Sequence, residues 1–332
     1  STDPPLDTQA GVEFVRQKAQ RARNCNVFVL GCVSKNRDGQ QLAELGSLAG
    51  AEAVGFTDAP RSIGNTELMR RALEYCLMFD KPILEQPEVP ELTHGGIMHE
   101  GRTSLVLGLA GMPVDAEEVA VSRDLRLAES THGRLHLLGI STAGSVELIR
   151  RAKARGLKVT ASVSIANLVF TDERLRTFDS NYMVKPPLRS PEHVEACLAG
   201  LVDGTLDAIT SGHSPRASEK KMRELDQAPF GITSLETTLA LVMTHLIRPG
   251  IMEWGAALSK LTCGPARILG LSKGSLRIGA DADVTIFNPE KRWIVDPTKF
   301  RSKSTNTPLG GVELHGRPTH VIVGGERRGV TL

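Results

Sequence analysis

Short apolar runs alternate with amphipathic stretches along most of the chain. Residues 26–33 (NVFVLGCV) are almost continuously apolar, the pattern of a strand buried on both faces. Residues 39–49 then have helical texture, 53–57 (AVGFT) read as a strand, 65–79 as a helix and 82–84 as a strand. Helical spacing over 116–128 leads into a strand at 135–140. In 145–154, Val146, Leu148, Ile149 and Ala152 supply one buried helical face, and Gly156 suits the left-handed cap that ends it. A strand at 157–163 (LKVTASV), a helix at 193–201, a strand at 206–210 and a long apolar helix at 234–247 complete the series.

Repeated strand–helix units require parallel strands, because a crossover helix is the short way back to the same sheet edge. So many units favour a closed (β/α) barrel over an open sheet. Beyond residue 264 the texture changes. Residues 264–270 (GPARILG) read as a short helix, 274–287 alternate like strands around a Gly-containing turn, and 319–326 (THVIVGGE) read as strand, turn, strand. The expectation is an α/β protein with a (β/α) TIM-type barrel over residues 1–270 and a small β-subdomain over 271–332.

Composition adds limits. The 332 residues can bury a large core, aromatics make up only 4%, and the net charge is +2 without a long basic run. Nucleic acid and anionic membrane are therefore not expected partners. Five scattered cysteines with no CxxC pair predict free thiols, mostly buried, in a reducing compartment. No signal segment or membrane-spanning run is evident, so the expected location is the cytoplasm.

In such a barrel, chemistry belongs to the loops after the strands: residues 57–60, 85–89, 139–142, 164–167 and 211–216. A metal hydrolase needs several His, Asp, Glu or modified Lys side chains converging there. Only Asp58, Glu85, Glu88 and His213 qualify in these loops, and neither HxH nor HExxH occurs. His132 and His136 have i, i+4 spacing, but Gly133 breaks the helix between them. His94 and His99 sit in a Gly-rich loop and are expected in solvent, while His193, His245, His315 and His320 stand alone. GxSxG is absent, and no Cys has a plausible neighbouring His. Taken alone, the residues name a barrel and no reaction.

At the same loops the chain resembles dihydroorotases, particularly the bacterial type that associates with aspartate transcarbamoylase. The resemblance is carried by TDPPLDT (2–8), GRTSLVLGLAGMP (101–113), SVELIRRAKARGLKVTA (145–161), PPLRSPE (186–192), EKKMRELDQAPFGITSLET (219–237), CGPARILGL (263–271) and STNTPLGGVELHGRPTHVIVGG (304–325). It implies a metal-dependent amidohydrolase barrel with a flanking β-subdomain. The reaction it implies is ring closure of N-carbamoyl-aspartate to dihydroorotate in pyrimidine biosynthesis, with zinc as the family's cofactor.

The departures from the family pattern fall on the chemistry. Gln86 stands where the histidine of HCED would bind metal, and Gly139 replaces the second histidine of HxxHvST. The family's TDHAPH becomes Ser211–Arg216, so that Gly212 replaces the catalytic aspartate, His213 is kept and Arg216 replaces the last histidine. TDDG becomes Thr57, Asp58, Ala59 and Pro60, and Lys185 replaces the asparagine of VNPPLR. Asn167 completes the degenerate pocket. The family's first HxHxR strand precedes the first residue here. A barrel without its opening strands has unpaired edges, so the expectation is that further residues precede these in the polypeptide.

A metal lowers the pKa of bound water from about 15.7 to roughly 7, worth close to 12 kcal/mol at neutral pH. Losing several ligands and the proton shuttle should abolish both metal binding and turnover. The leading expectation is a pseudoenzyme of dihydroorotase type with no metal, no cofactor and no catalytic residue of its own. Its expected partner, by family analogy, is aspartate transcarbamoylase, and self-association is left open. Two alternatives stand beside it. One is an active cyclic amidohydrolase using an N-terminal HxH outside these residues. The other is an anion-sensing module in which Lys185 and Arg216 hold the ligand.

Overall fold

The computed structural model describes residues 2–328. Six parallel strands form one curled sheet in chain order: β1 (Leu30–Gly31), β2 (Gly55–Phe56), β3 (Ile83–Glu85), β6 (Leu135–Leu137), β7 (Val159–Ser164) and β8 (Ala208–Thr210). A separate parallel pair, β4 (Met98–His99) and β5 (Gly111–Met112), stands outside it. Helices Thr66–Cys76, Asp115–Thr131, Ala143–Ala154 and Pro191–Val202 cover the sheet, giving the α/β TIM-type architecture expected.

Strand register separates an apolar outer face from a partly polar interior. Leu84, His136 and Thr160 are register partners across β3, β6 and β7, so they share one face. The alternate residues Ile83, Leu135, Leu137, Val159, Ala161 and Val163 are buried on the other face, where the helices pack. His136 is fully enclosed on the interior side, bonded through Nδ1 to Thr160 Oγ1 (2.8 Å) and through Nε2 to Ser162 Oγ (3.1 Å). Burial pushes it down to about 3, with Lys153 adding to the shift, so the imidazole is neutral.

Several boundaries differ from the sequence reading for identifiable reasons. The run 26–33 pairs only over Leu30–Gly31, and Val27 and Phe28 are 44% and 42% exposed. Among the described residues β1 has a strand partner on one side only, so its apolar pattern is not fully buried. The helix expected over 234–247 is α-helical over Thr238–Val242 and widens to a π turn over Met243–Ile247. There the Thr244 hydroxyl accepts from the His315 N–H at 2.9 Å, and a Cβ on Gly316 would lie 2.8 Å from Met243. The helix therefore adjusts to a strand lying directly on it. Helices Gln9–Ala22 and Trp254–Leu261 were not anticipated.

The tail forms an antiparallel sheet of β9 (Val284–Ile294), β10 (Glu313–Val323) and β11 (Glu326–Arg328). Gly324 and Gly325, with φ of 57° and 81°, make the tight turn between the last two strands. Residues 274–283 are not strand as expected. Lys273 Nζ draws Asp281 and Asp283 to 2.6 Å each and holds that segment as a loop. Val295 and Leu314 belong to the main core, so the sheet is packed onto the barrel. No helix among the described residues is long and apolar enough to cross a membrane.

Candidate functional site

The loops at the carboxyl ends of the strands are each fixed by their own contacts. Asp58, after β2, is buried. Its Oδ1 accepts the N–H groups of Val33 (2.9 Å) and Ser34 (3.1 Å), and its Oδ2 accepts the Ser34 hydroxyl (2.5 Å). Burial raises its pKa against those hydrogen bonds. The one carboxylate kept at that position thus clamps the loop after β1. Ala59 offers only its N–H, to Thr57 Oγ1 at 3.1 Å.

After β3, Gln86 is half-buried beside Glu88 and Lys185. Lys185 Nζ lies 2.7 Å from Glu88 Oε1, which also accepts the Thr93 hydroxyl. The added lysine thus meets a carboxylate within the pocket. After β6, Gly139 has φ +67°, and a Cβ there would meet Pro186 Cδ at 3.2 Å. After β8, Gly212 has φ +61°, and a Cβ would lie 2.7 Å from Ser164 Oγ. Most side chains are disfavoured on such backbone, although His and Asp adopt it more readily than most, as His132 (φ 56°) and Asp80 (φ 48°) do in this chain. Neither position offers a side chain, and at Gly212 one could be added only if Ser164 moved.

Three polar residues of the expected pocket serve the scaffold. Asn167 Nδ2 donates to the Pro187 carbonyl at 2.9 Å. His213 Nδ1 accepts from the N–H groups of Ser234 and Leu235, both at 3.2 Å, and burial lowers its pKa, in keeping with a neutral acceptor. Arg216 Nε donates to the Phe230 carbonyl at 2.7 Å, while the Arg216 carbonyl accepts the Ser304 hydroxyl. The cleft walled by Gln86, Glu88, Gly139, Lys185, Pro186 and Arg189 encloses about 20 Å³, room for about one water.

The sequence reading missed the network behind this cleft. Arg189, 3% exposed, donates to Met112 O (2.9 Å) and Ser141 Oγ (3.1 Å) and contacts His99 Nδ1 (3.2 Å). Glu117 accepts the N–H groups of Ser141 (2.9 Å) and Thr142 (3.1 Å). His99, expected in solvent, is buried edge-on against His193, with ring centroids 5.5 Å apart. Burial, with Arg189 and His193 adding to it, pushes His99 down to about 4. His193, expected to stand alone, also accepts the Ala143 N–H at 3.1 Å. A second buried pair lies under the helix Asp115–Thr131, where Glu85 and Asp124 each keep one oxygen without a hydrogen-bond partner.

Comparison with known proteins places this arrangement. The amidohydrolase family model matches residues 1–328. A Rhodopirellula baltica relative is 51% identical over 325 residues, covering 98% of this chain and 71% of its own length. Proteins named dihydroorotase from Pelotomaculum thermopropionicum and Syntrophobacter fumaroxidans are 45% and 44% identical, each covering 98% of this chain and 76% and 74% of their own. The chain belongs to the dihydroorotase family of amidohydrolases. The fold also matches the L-hydantoinase of Arthrobacter aurescens, with a TM-score of 0.84 at 23% identity over 98% of this chain and 75% of that one.

The residues do not fit the zinc that such a family implies. Among the described residues, no three His, Cys, Asp or Glu side chains converge as a ligand set. The individual assignments carry more weight than that count: Asp58 is bound to backbone N–H groups, His213 to a turn, Glu88 to a lysine, and two further positions are left-handed glycines.

Proposed function

We propose that this dihydroorotase homologue is non-catalytic and acts as a structural partner in pyrimidine biosynthesis, with aspartate transcarbamoylase as its partner. The observation that carries the first half is the donor set itself: Asp58 is bound to backbone N–H groups, His213 to a turn, and Gly139 and Gly212 offer no side chain. At those positions the family pattern needs a metal-binding histidine and the aspartate that moves the proton. With an added HxH from elsewhere in the polypeptide, an ion would still face a neutral amide at Gln86 and no donor at the two glycines. The transcarbamoylase assignment rests on analogy within the family, a weaker support.

The rival reading, an active cyclic amidohydrolase, is favoured by the names of the relatives. One experiment separates the two. Zinc content and hydrolysis of dihydroorotate are measured on the purified protein, and native pull-downs are assayed for carbamoyltransferase activity. We expect no stoichiometric zinc, no turnover and recovery of the transferase. Bound zinc with turnover would overturn the non-catalytic reading, and absence of the transferase from native complexes would remove the partner. An anion-sensing role has less behind it, because Lys185 is bound to Glu88 and Arg216 to the Phe230 carbonyl.

A further inference from the structure

At the opposite end of the barrel, where the strands begin, a second cavity of about 430 Å³ opens between β3, β6 and β7 and the helices Trp254–Leu261 and Cys263–Ile268. Arg134, Lys158, Lys260 and Arg267 contribute four cations to its wall, and Asp207 contributes the one carboxylate. That carboxylate is already engaged, since its Oδ2 takes Lys153 Nζ at 2.6 Å and the Ala161 N–H at 2.8 Å. Asp203, which also acts on Lys260, is bound to Arg150 at 2.8 Å.

The cations are unevenly satisfied. Arg134 donates to the Asp80 and Ile268 carbonyls, at 2.6 and 2.8 Å, and lies 3.3 Å from the exposed Asp80 carboxylate. Lys260 Nζ donates to the neutral Leu206 carbonyl at 2.6 Å. Among the described residues Lys158 makes no ion pair, and the Arg267 guanidinium has the Cys263 sulfur at 4.0 Å as a hydrogen-bond partner. Burial holds the Lys260 ammonium below its usual range. Asp207 and Asp203 oppose this, while Lys153 and Arg267 add to it. The floor is firm, because a Cβ on Gly264 would lie 2.7 Å from the Asp207 and Ser259 carbonyls. A volume of this size falls in the range of small-molecule sites, and apolar surface from Leu135, Val159 and Ile268 lies beside the charges.

We propose that this cavity at the strand-start end of the barrel binds a small molecule carrying a di- or triphosphate group. Four lining cations, of which Lys158 and Arg267 are exposed, against the engaged Asp207 and the exposed Asp80 beside Arg134 leave a local excess of positive charge that a multiply charged, compact anion would neutralise. The inference concerns the opposite end of the barrel from the degenerate pocket and holds whether or not that pocket is catalytic.

Calorimetric titration of the full chain with pyrophosphate at low ionic strength tests it, with citrate as a carboxylate arm of comparable charge. We expect saturable one-to-one binding of pyrophosphate, weakened at least tenfold by the double variant Lys158→Ser, Arg267→Ser. Neither side chain holds the fold together, so this variant should unfold at the parent temperature. The control Lys291→Ser, Arg292→Ser, in β9, should bind as the parent does. No saturable binding, or binding indifferent to the first double variant, would overturn the site. Citrate binding as tight as pyrophosphate would overturn the phosphate assignment.

Discussion

Gly212→Ala tests how closely the structure is packed around one of the two glycines that stand in the degenerate pocket. A non-glycine residue held at φ +61° costs about 1–2 kcal/mol relative to right-handed backbone. The new Cβ would also stand 2.7 Å from Ser164 Oγ, closer than such atoms approach, so Ser164 must move. That hydroxyl accepts the Ala166 N–H at 3.3 Å and caps the helix Ile165–Val169, an interaction worth about 1 kcal/mol. The expected loss is therefore about 2–3 kcal/mol, read from the denaturant midpoint at unchanged slope. In a Ser164→Ala background the overlap disappears, and the loss should shrink to the backbone part of about 1–2 kcal/mol. Gly212→Asp meets the same hydroxyl, although aspartate tolerates left-handed backbone better than alanine. It should gain no zinc-dependent rise in melting temperature. A Gly212→Ala protein as stable as the parent, or a Gly212→Asp protein stabilised by zinc, would refute the argument.

Three further outcomes follow from buried charge. Burial, reinforced by Asp124, pushes Glu85 up to about 8, so its folded pKa exceeds its unfolded value near 4.5. The folded state then holds a proton that the unfolded chain releases, and stability falls as pH rises from about 4.5 towards 8. Glu85→Gln should flatten that decline in midpoints measured at pH 5 and pH 8, and an unchanged slope would contradict it. Arg189→Met removes the buried counter-charge of Glu117, although Glu117 keeps its Ser141 and Thr142 donors and the Met112 carbonyl keeps the Glu100 N–H, and should cost about 3 kcal/mol by chemical denaturation. A loss under about 1 kcal/mol would mean the network is dispensable. Treatment with a chelator should leave the melting temperature unchanged, and a marked fall would point to an ion holding the loops.

The alternation of strands and helices was legible because each element carries its own periodicity. β7 and the helix Ala143–Ala154, with its Thr142 cap and Gly156 exit, agree closely with the pattern of their residues. The degenerate positions were legible by resemblance, since each lies in a short motif with fixed spacing. What fills the pocket was not. Glu117 reaches Ser141 across 24 residues and Arg189 reaches His99 across 90, and no local pattern marks such partners. His99 looked solvated among glycines because its cover comes from the distant His193. Likewise, glycine at 139 and 212 could have been mere loss of a ligand. Only the neighbouring Pro186 and Ser164, which a Cβ would meet at 3.2 and 2.7 Å, reveal that the space beside each glycine is taken.

Those long-range partners also explain how the loops keep their shape. In a metal centre, ligand loops draw part of their folding energy from the ion, so erasing the ligands should loosen them. Here buried carboxyl groups hold the corresponding segments through backbone N–H groups. Asp58 grips residues 33 and 34, Glu85 accepts the Ile63 N–H at 2.7 Å, and Glu117 grips residues 141 and 142. A hydrogen bond contributes about 0.5–1.5 kcal/mol net, and more where the acceptor is charged, enough collectively to fix loops without an ion. Each clamp consumes acceptor capacity that a metal would need, most directly at Asp58. The same contacts that preserve the architecture therefore work against restoring the chemistry one residue at a time.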